Sequence, residues 1–292
     1  MFPARRSYTV QLPTGPLSLG ERCLVMGILN VTPDSFADAS PSFDSATAVD
    51  RAIQMEEEGA DILDVGGEST RPGTEPVTAS EELSRVLPVV KALARRVGVP
   101  ISVDTYKADV ARAVIAEGAT IINDISGLRY EPELAAVAAG SQVALVLMHM
   151  RGRPNAMYEE AVYQDLVGEV AAELRASMAV AGAAGVASGQ LIVDPGVGFA
   201  KRPNDSYGVL AQLSTLASAL DRPVLVGPSR KSFMRGALAG RPAPERDWGT
   251  AAAVTAAVFG GAHIVRVHAV GQMVQVVRVA EEIRKAGQRA EG

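Results

Sequence analysis

PISVDTYKADVARAVIAEGATIINDISG, residues 100–127, is the stretch on which the fold turns. It opens with a short apolar run that ends in a carboxylate, Asp104. KADVARAVIAEGA follows with apolar residues at helical spacing. Gly118 then stands where a helix C-terminus favours glycine. A second apolar run begins at Thr120 and ends in Asn123 and Asp124. The order strand, helix, strand defines a βαβ unit. Both strands are apolar on successive residues, as expected of strands buried on both faces of a parallel sheet covered by helices.

The same unit recurs in both directions. Candidate strands are LVMGILN (24–30), DILDVG (61–66), PISVDT (100–105), TIINDI (120–125), VALVLMH (143–149), LIVDPG (191–196), PVLVGPS (223–229) and HIVRVH (263–268). Ala-, Glu- and Arg-rich stretches of helical spacing separate them, and Gly59 and Gly98 also precede strands. Eight βα units predict one α/β domain over residues 1–292, a (β/α)8 TIM barrel. An open doubly wound sheet is the alternative. SYTVQLPTGPLSL (7–19) predicts a β-hairpin that closes the bottom of the barrel. The long connection 150–190 predicts a helix from Ala161 to Ala184.

The bulk composition excludes several classes. Hydrophobic residues make up 48% and charged residues 21% of the chain, which suits a soluble globular protein. Net charge is −5 without a Lys/Arg cluster, so no nucleic-acid partner is expected. No apolar run reaches transmembrane length, and the N-terminal MFPARRSYTVQLP lacks the apolar middle of a signal peptide. A cytoplasmic location is the expectation. The single cysteine, Cys23, reads as a small core residue and allows no intrachain disulfide.

In a barrel, all strand C-termini converge on one mouth, where chemistry sits. Here those exits carry Asn30, Glu68, Asp104, Asn123-Asp124, His149, Asp194, Ser229-Arg230-Lys231 and Arg266 with His268. Asp104, Asn123 and Asp194 emerge from apolar runs and offer acceptors suited to the N–H groups of a planar heterocycle. The alternative is that Asp104 and Asp194 cap the helices that follow them. Ser229-Arg230-Lys231-Ser232 is read as opening a helix and forming an anion site. Arg266 and His268 share one strand face, and GGESTRPG (66–73) adds Thr70 and Arg71. Together they predict an anionic substrate. The only histidines are His149, His263 and His268, without zinc-ligand spacing. No GxSxG, GxGxxG or GxxxxGK[ST] motif is present.

Seven ordered motifs carry a family resemblance: NVTPDSF (30–36), GGESTRPG (66–73), SVDT (102–105), INDISG (122–127), DPGVGF (194–199), GPSRKSF (227–233) and RVH (266–268). The chain resembles the dihydropteroate synthases, pterin-binding TIM barrels of folate biosynthesis and sulfonamide targets. The resemblance implies that p-aminobenzoate displaces pyrophosphate from 6-hydroxymethyl-7,8-dihydropterin pyrophosphate, with Mg2+, in a homodimer. It places Asp104, Asn123, Met148, Asp194 and Lys231 around the pterin. It places Thr70, Arg71, Phe199 and Ser232 around p-aminobenzoate. Asn30, Arg266 and His268 receive pyrophosphate, and Asn30 also the metal. Asp104, Asp194, Lys231 and Asp34 are the expected catalytic group, with early departure of pyrophosphate. The loop carrying Asp34 and Phe36 is expected to close as a lid, with Phe36 against the p-aminobenzoate ring. A catalytically altered paralogue and a pterin-binding methyltransferase are the alternative functions. Two departures stand out: ADASPS replaces the usual SDGG-type run after NVTPDSF, and Ala269 replaces the acid that usually follows RVH.

Overall fold

The computed structural model describes residues 2–32, 45–69, 74–153 and 156–289. Tyr8–Leu12 (β1) and Gly15–Leu19 (β2) pair antiparallel across Pro13-Thr14. Their alternation buries Val10, Leu12 and Leu19. A parallel eight-stranded sheet follows: Leu24–Asn30 (β3), Ile62–Gly66 (β4), Ile101–Asp104 (β5), Ile121–Asp124 (β6), Ala144–Met148 (β7), Leu191–Asp194 (β8), Leu225–Val226 (β9) and Ile264–Val267 (β10). The strand order runs from β8 through β3 to β10 and β9. Val193 and Val224 bridge the two ends, so the sheet closes into the expected barrel.

The seventh strand is much shorter than its apolar run. Pro223 and Pro228 bracket it and have no N–H to give to a ladder. It still pairs with β10, and toward β8 the Val193 amide donates to the Pro223 carbonyl at 3.0 Å.

Helices Ser45–Glu57 (α1), Ala79–Leu93 (α2), Ala108–Ala116 (α3), Leu134–Ser141 (α4), Leu166–Ala183 (α5), Pro203–Ala211 (α6), Leu213–Leu220 (α7), Asp247–Phe259 (α8) and Val270–Arg289 (α9) surround the sheet. Gly59 and Gly118 take φ of 101° and 115° just past α1 and α3, a conformation costly for any residue with a Cβ. The helix expected from Ala161 starts later, at Leu166. Asp165 ends the preceding turn by accepting the Gly168 amide at 3.1 Å, and Glu169 reaches back to the Gln164 and Asp165 amides.

Successive strand residues face opposite sides, and this divides the core. Leu63, Val65, Val103, Ile122, Leu145, Val193 and Val265 pack outward against the helices. Met26, Ile62, Ile121, Val146, Ile192, Leu225 and Ile264 fill the interior, with Val10, Leu12 and Leu19 of the hairpin beneath them. The hairpin therefore closes the bottom, as expected. Each such side chain contributes about 1.5–3 kcal/mol by leaving water. The interior below the mouth is a packed plug, not a pore.

Candidate active site

One residue-pair above that plug, the inward positions change character. Ile62 is followed on the same face by Asp64, Ile121 by Asn123, Ile192 by Asp194 and Ile264 by Arg266. Asp104 occupies the matching place on β5. Arg266 ties two of these carboxylates together: Nε donates to Asp64 Oδ2 at 2.5 Å and Nη2 to Asp104 Oδ2 at 2.7 Å. Asn123 Nδ2 donates to the same Asp64 oxygen at 3.2 Å. Asp64 Oδ1 is buried without a hydrogen-bond partner among the described residues. Such an orphaned acceptor favours a ligand N–H.

On the opposite wall, Asp194 Oδ1 accepts the Gly196 amide at 2.7 Å. Lys231 donates to the Val197 carbonyl, and its Nζ lies 4.2 Å from the centre of the Phe199 ring. Burial pushes the Asp104 and Asp194 carboxyls above the usual range, against the nearby cations Arg266 and Lys231. Burial likewise pulls the Lys231 ammonium down to about 7, although Asp194 holds it up.

Asp104, Arg266, Lys231 and Phe199 face a cavity of about 780 Å³ that is also lined by Asn30, Ser229, Ser232 and His268, among others. Ser229 fixes His268 twice: Oγ lies 2.9 Å from its Nδ1 and accepts its backbone amide at 3.1 Å. The cavity thus has Asp104 and Arg266 at its deep end, backed by Asp64, Asn123 and Asp194, an aromatic wall at Phe199 and a polar side with Ser229 and His268.

A model of pterin-binding enzymes matches residues 26–268. The dihydropteroate synthase of Synechocystis is 46% identical over 93% of this chain and 94% of its own length. That of Bacillus subtilis is 44% identical, covering 93% and 92%. The chain belongs to the dihydropteroate synthase family. Among solved members, the Burkholderia cenocepacia synthase complexed with 7,8-dihydropteroate superposes with a TM-score of 0.86 at 41% identity, covering 99% of both chains. The Yersinia pestis synthase with a sulfonamide drug complex gives 0.89 at 41%, covering 95% and 99%.

Of the residues that the dihydropteroate synthase resemblance singles out, Asn30, Asp104, Phe199, Lys231, Ser232, Arg266 and His268 meet at the cavity. Asn123 and Asp194 lie buried immediately behind its lining, and Met148 belongs to an adjoining apolar cluster with Tyr106, Ile125, Met150 and Met157. Asp34, Phe36, Thr70 and Arg71 lie outside the described residues, as does the ADASPS segment.

Several readings of the residues are corrected. Asp104 and Asp194 do not cap helices, because the N-caps of α3 and α6 are Lys107 and Arg202. Ser232–Arg235 forms only a four-residue 3-10 turn, too short to offer a helix N-terminus to an anion. Arg230 lines the cavity, but as a paired rather than a free cation. Its guanidinium is bidentate on Asp247 at 2.7 and 2.8 Å, its amide donates to Thr250 Oγ1, and its carbonyl accepts from Arg246. These contacts hold Arg230 at φ 58°, which turns the chain so that Lys231 enters the mouth. His149 also leaves the mouth: it is buried, with Nδ1 2.8 Å from Lys201 Nζ, and burial pulls it down to about 4. Asp124 turns away too, accepting the Ser126 and Leu128 amides.

Sequence reasoning missed Asp64, Met157 and Tyr158. Tyr158 OH lies 3.2 Å from Ser232 Oγ, and Met157 lines the cavity. The signal for Asp64 was its place two residues after Ile62 inside an apolar strand, where a carboxylate needs a partner.

Proposed function

We propose that the cavity binds the pterin at its carboxylate end and p-aminobenzoate toward Phe199 and Ser232, and joins them with loss of pyrophosphate. The observation that carries this is the Arg266 bridge between Asp64 and Asp104 beside Asn123 and the unpartnered Asp64 oxygen. It supplies acceptors for ring N–H groups and, bound to these acceptors, the Arg266 cation, which lines the cavity with His268. The product 7,8-dihydropteroate is condensed from 6-hydroxymethyl-7,8-dihydropterin pyrophosphate and p-aminobenzoate in folate biosynthesis. The related Burkholderia and Yersinia synthases are named with this product and with a sulfonamide, and we extend both ligands to this chain.

In the proposed mechanism the bond from the pterin methylene to the diphosphate oxygen breaks first, and its electrons leave with pyrophosphate. The methylene cation delocalises into the ring. Asp104 and Asp194 stabilise that charge without bonding to it. The amine lone pair of p-aminobenzoate then forms the C–N bond, and the amine proton passes to solvent. Ring N–H donors restore the ionised form of the carboxylates that burial disfavours. Arg266 and His268, the latter held by Ser229, receive the diphosphate. Thr70 and Arg71 complete the p-aminobenzoate end by resemblance, Phe36 joins them as the lid aromatic, and Asp34 completes the catalytic group.

Mg2+ suits this site. It takes one or two protein oxygens beside substrate phosphates and water, and Asn30 offers an oxygen on the cavity wall near Gly66, whose Cβ position would be 3.9 Å from Asn30 Oδ1. Among the described residues no cluster of three His, Cys, Asp or Glu offers a closed metal cage. When bound, the ion would neutralise charge on the leaving diphosphate.

We extend the reading to a cytoplasmic homodimer. Trp248 on α8 and Val279 and Ile283 on α9 are exposed apolar residues that support a self-contact. Among the described residues no helix is long and apolar enough to cross a membrane. Light scattering after gel filtration should give twice the chain mass, and a monomer would refute the dimer.

The test of function is pyrophosphate release with both substrates. One pyrophosphate per 7,8-dihydropteroate is expected, dependent on p-aminobenzoate. Release without that dependence, or none, overturns the reading.

A further inference from the structure

The cations deep in the mouth are already balanced. Arg266 is held by Asp64 and Asp104, Arg230 by Asp247, and Lys231 lies beside Asp194. A diphosphate brings several negative charges, so its outer end calls for a further cation. Arg51 reaches the cavity from α1. Its Nη1 donates to Glu58 Oε1 at 3.0 Å, and Glu58 Oε2 accepts the Gly271 amide at 3.2 Å in the first turn of α9. Both line the cavity beside His268, Ala269 and Gln272. Their side chains are 33% and 25% exposed, so the pair is neither sealed nor in bulk water. Packing fixes this arm: a Cβ at Gly27 would lie 3.0 Å from Val270 Cγ2 and 3.2 Å from Met55 Sδ, so the glycine lets α1 and the start of α9 close together. Ala269 places no carboxylate at this point of the wall, and the acid beside it is Glu58, from the turn just after α1.

We propose that Arg51 binds the outer phosphate of the leaving diphosphate, and that Glu58 is a positioning residue that holds Arg51 against the first turn of α9. The inference rests on the synthase reading above. A guanidinium has five N–H groups in a planar fork, so one bond to Glu58 leaves donors that match phosphate oxygens.

The experiment uses the full chain with Arg51→Met, Arg51→Lys and Glu58→Gln. Four constants are measured: inhibition by inorganic pyrophosphate, KM for the pterin diphosphate, KM for p-aminobenzoate, and calorimetric Kd for a phosphate-free pterin. Arg51→Met should weaken pyrophosphate and raise the pterin diphosphate KM about tenfold. The phosphate-free pterin and p-aminobenzoate constants should stay within about twofold, and this pterin binding also reports that each variant folds. Arg51→Lys should recover part of the loss. Glu58→Gln should weaken pyrophosphate about threefold, as expected when positioning rather than contact is lost. Equal pyrophosphate constants in wild type and Arg51→Met overturn the inference and leave the synthase reading standing. A parallel loss of phosphate-free pterin binding also overturns it, since a structural role loosens the whole mouth. Failure of the wild type to release pyrophosphate overturns the synthase reading, and this inference with it.

Discussion

The lower and upper halves of the barrel interior are built from the same strands, one inward position apart, and they do opposite things. Ile62, Ile121, Ile192 and Ile264 form an apolar layer over the hairpin, whereas Asp64, Asn123, Asp194 and Arg266 form a charged layer above it. The lower layer gains free energy by excluding water. The upper layer loses it by burying charge, and recovers part through the Arg266 bridge. Geometry is shared, so the comparison isolates chemistry: the plug holds the strands at fixed spacing, and the charged layer uses that spacing to aim its groups.

The largest expected break in this comparison is Arg266→Met. It strands Asp64 and Asp104 without their cation, and breaking a buried ion network costs about 3–5 kcal/mol. Turnover should fall by roughly 10³-fold and the urea midpoint should drop; wild-type turnover would mean that Asp64 and Asp104 do not depend on the bridge. In the lower layer, Ile192→Ala should cost about 2–5 kcal/mol in chemical denaturation. Its Michaelis constants should stay near wild type, and a large change in either would show that the two layers are not separable.

Asp64→Asn keeps the shape and removes one charge. The Kd for a pterin analogue should rise about tenfold by calorimetry. Burial is the main reason Asp104 is raised, Arg266 opposes it, and the Asp64 charge adds to it. Removing that charge lowers the Asp104 pKa, so the acid limb of kcat/KM should move to lower pH. An unmoved or upward-shifted limb would show that Asp104 does not govern it.

The smallest effect concerns Lys201, a fully buried lysine beside His149 that burial pulls down to about 7. Its folded pKa lies below its unfolded value of 10.5. Between these limits the unfolded chain holds the extra proton, so stability rises with pH across that window and the penalty is complete below 7. Lys201→Met should reduce the slope of stability between pH 7 and 9 by about 1 kcal/mol per pH unit. An unchanged slope would mean that Lys201 keeps its proton on folding.

Asp64 and Arg230 show where reading residues along the chain ends. Asp64 sits inside ILDVG, and only the identity of its face separates a strand interruption from a site residue. Arg230 stands next to Lys231 in the motif, yet Asp247, Thr250 and Arg246 claim it from α8 and the turn before it. Adjacent residues in one tripeptide thus take opposite roles, an anchor and a site group. The late start of α5 at Leu166 was open to reading, because Asp165 with Glu169 is a local capping pattern.

The sequence by itself determined the eight strands, their parallel order, the hairpin beneath them and the family, because these rest on local periodicity and on motifs in fixed order. Tertiary structure alone decided which polar exits share a cavity. It joined Arg266 to Asp64 and Asp104 across 202 and 162 residues, paired Arg230 with Asp247 on the cavity wall, withdrew His149, and brought Arg51 of α1 and Glu58 just past it to the start of α9. The physical reason is that a hydrogen bond or ion pair depends on distance and direction in space, and barrel closure, not chain neighbourhood, sets both.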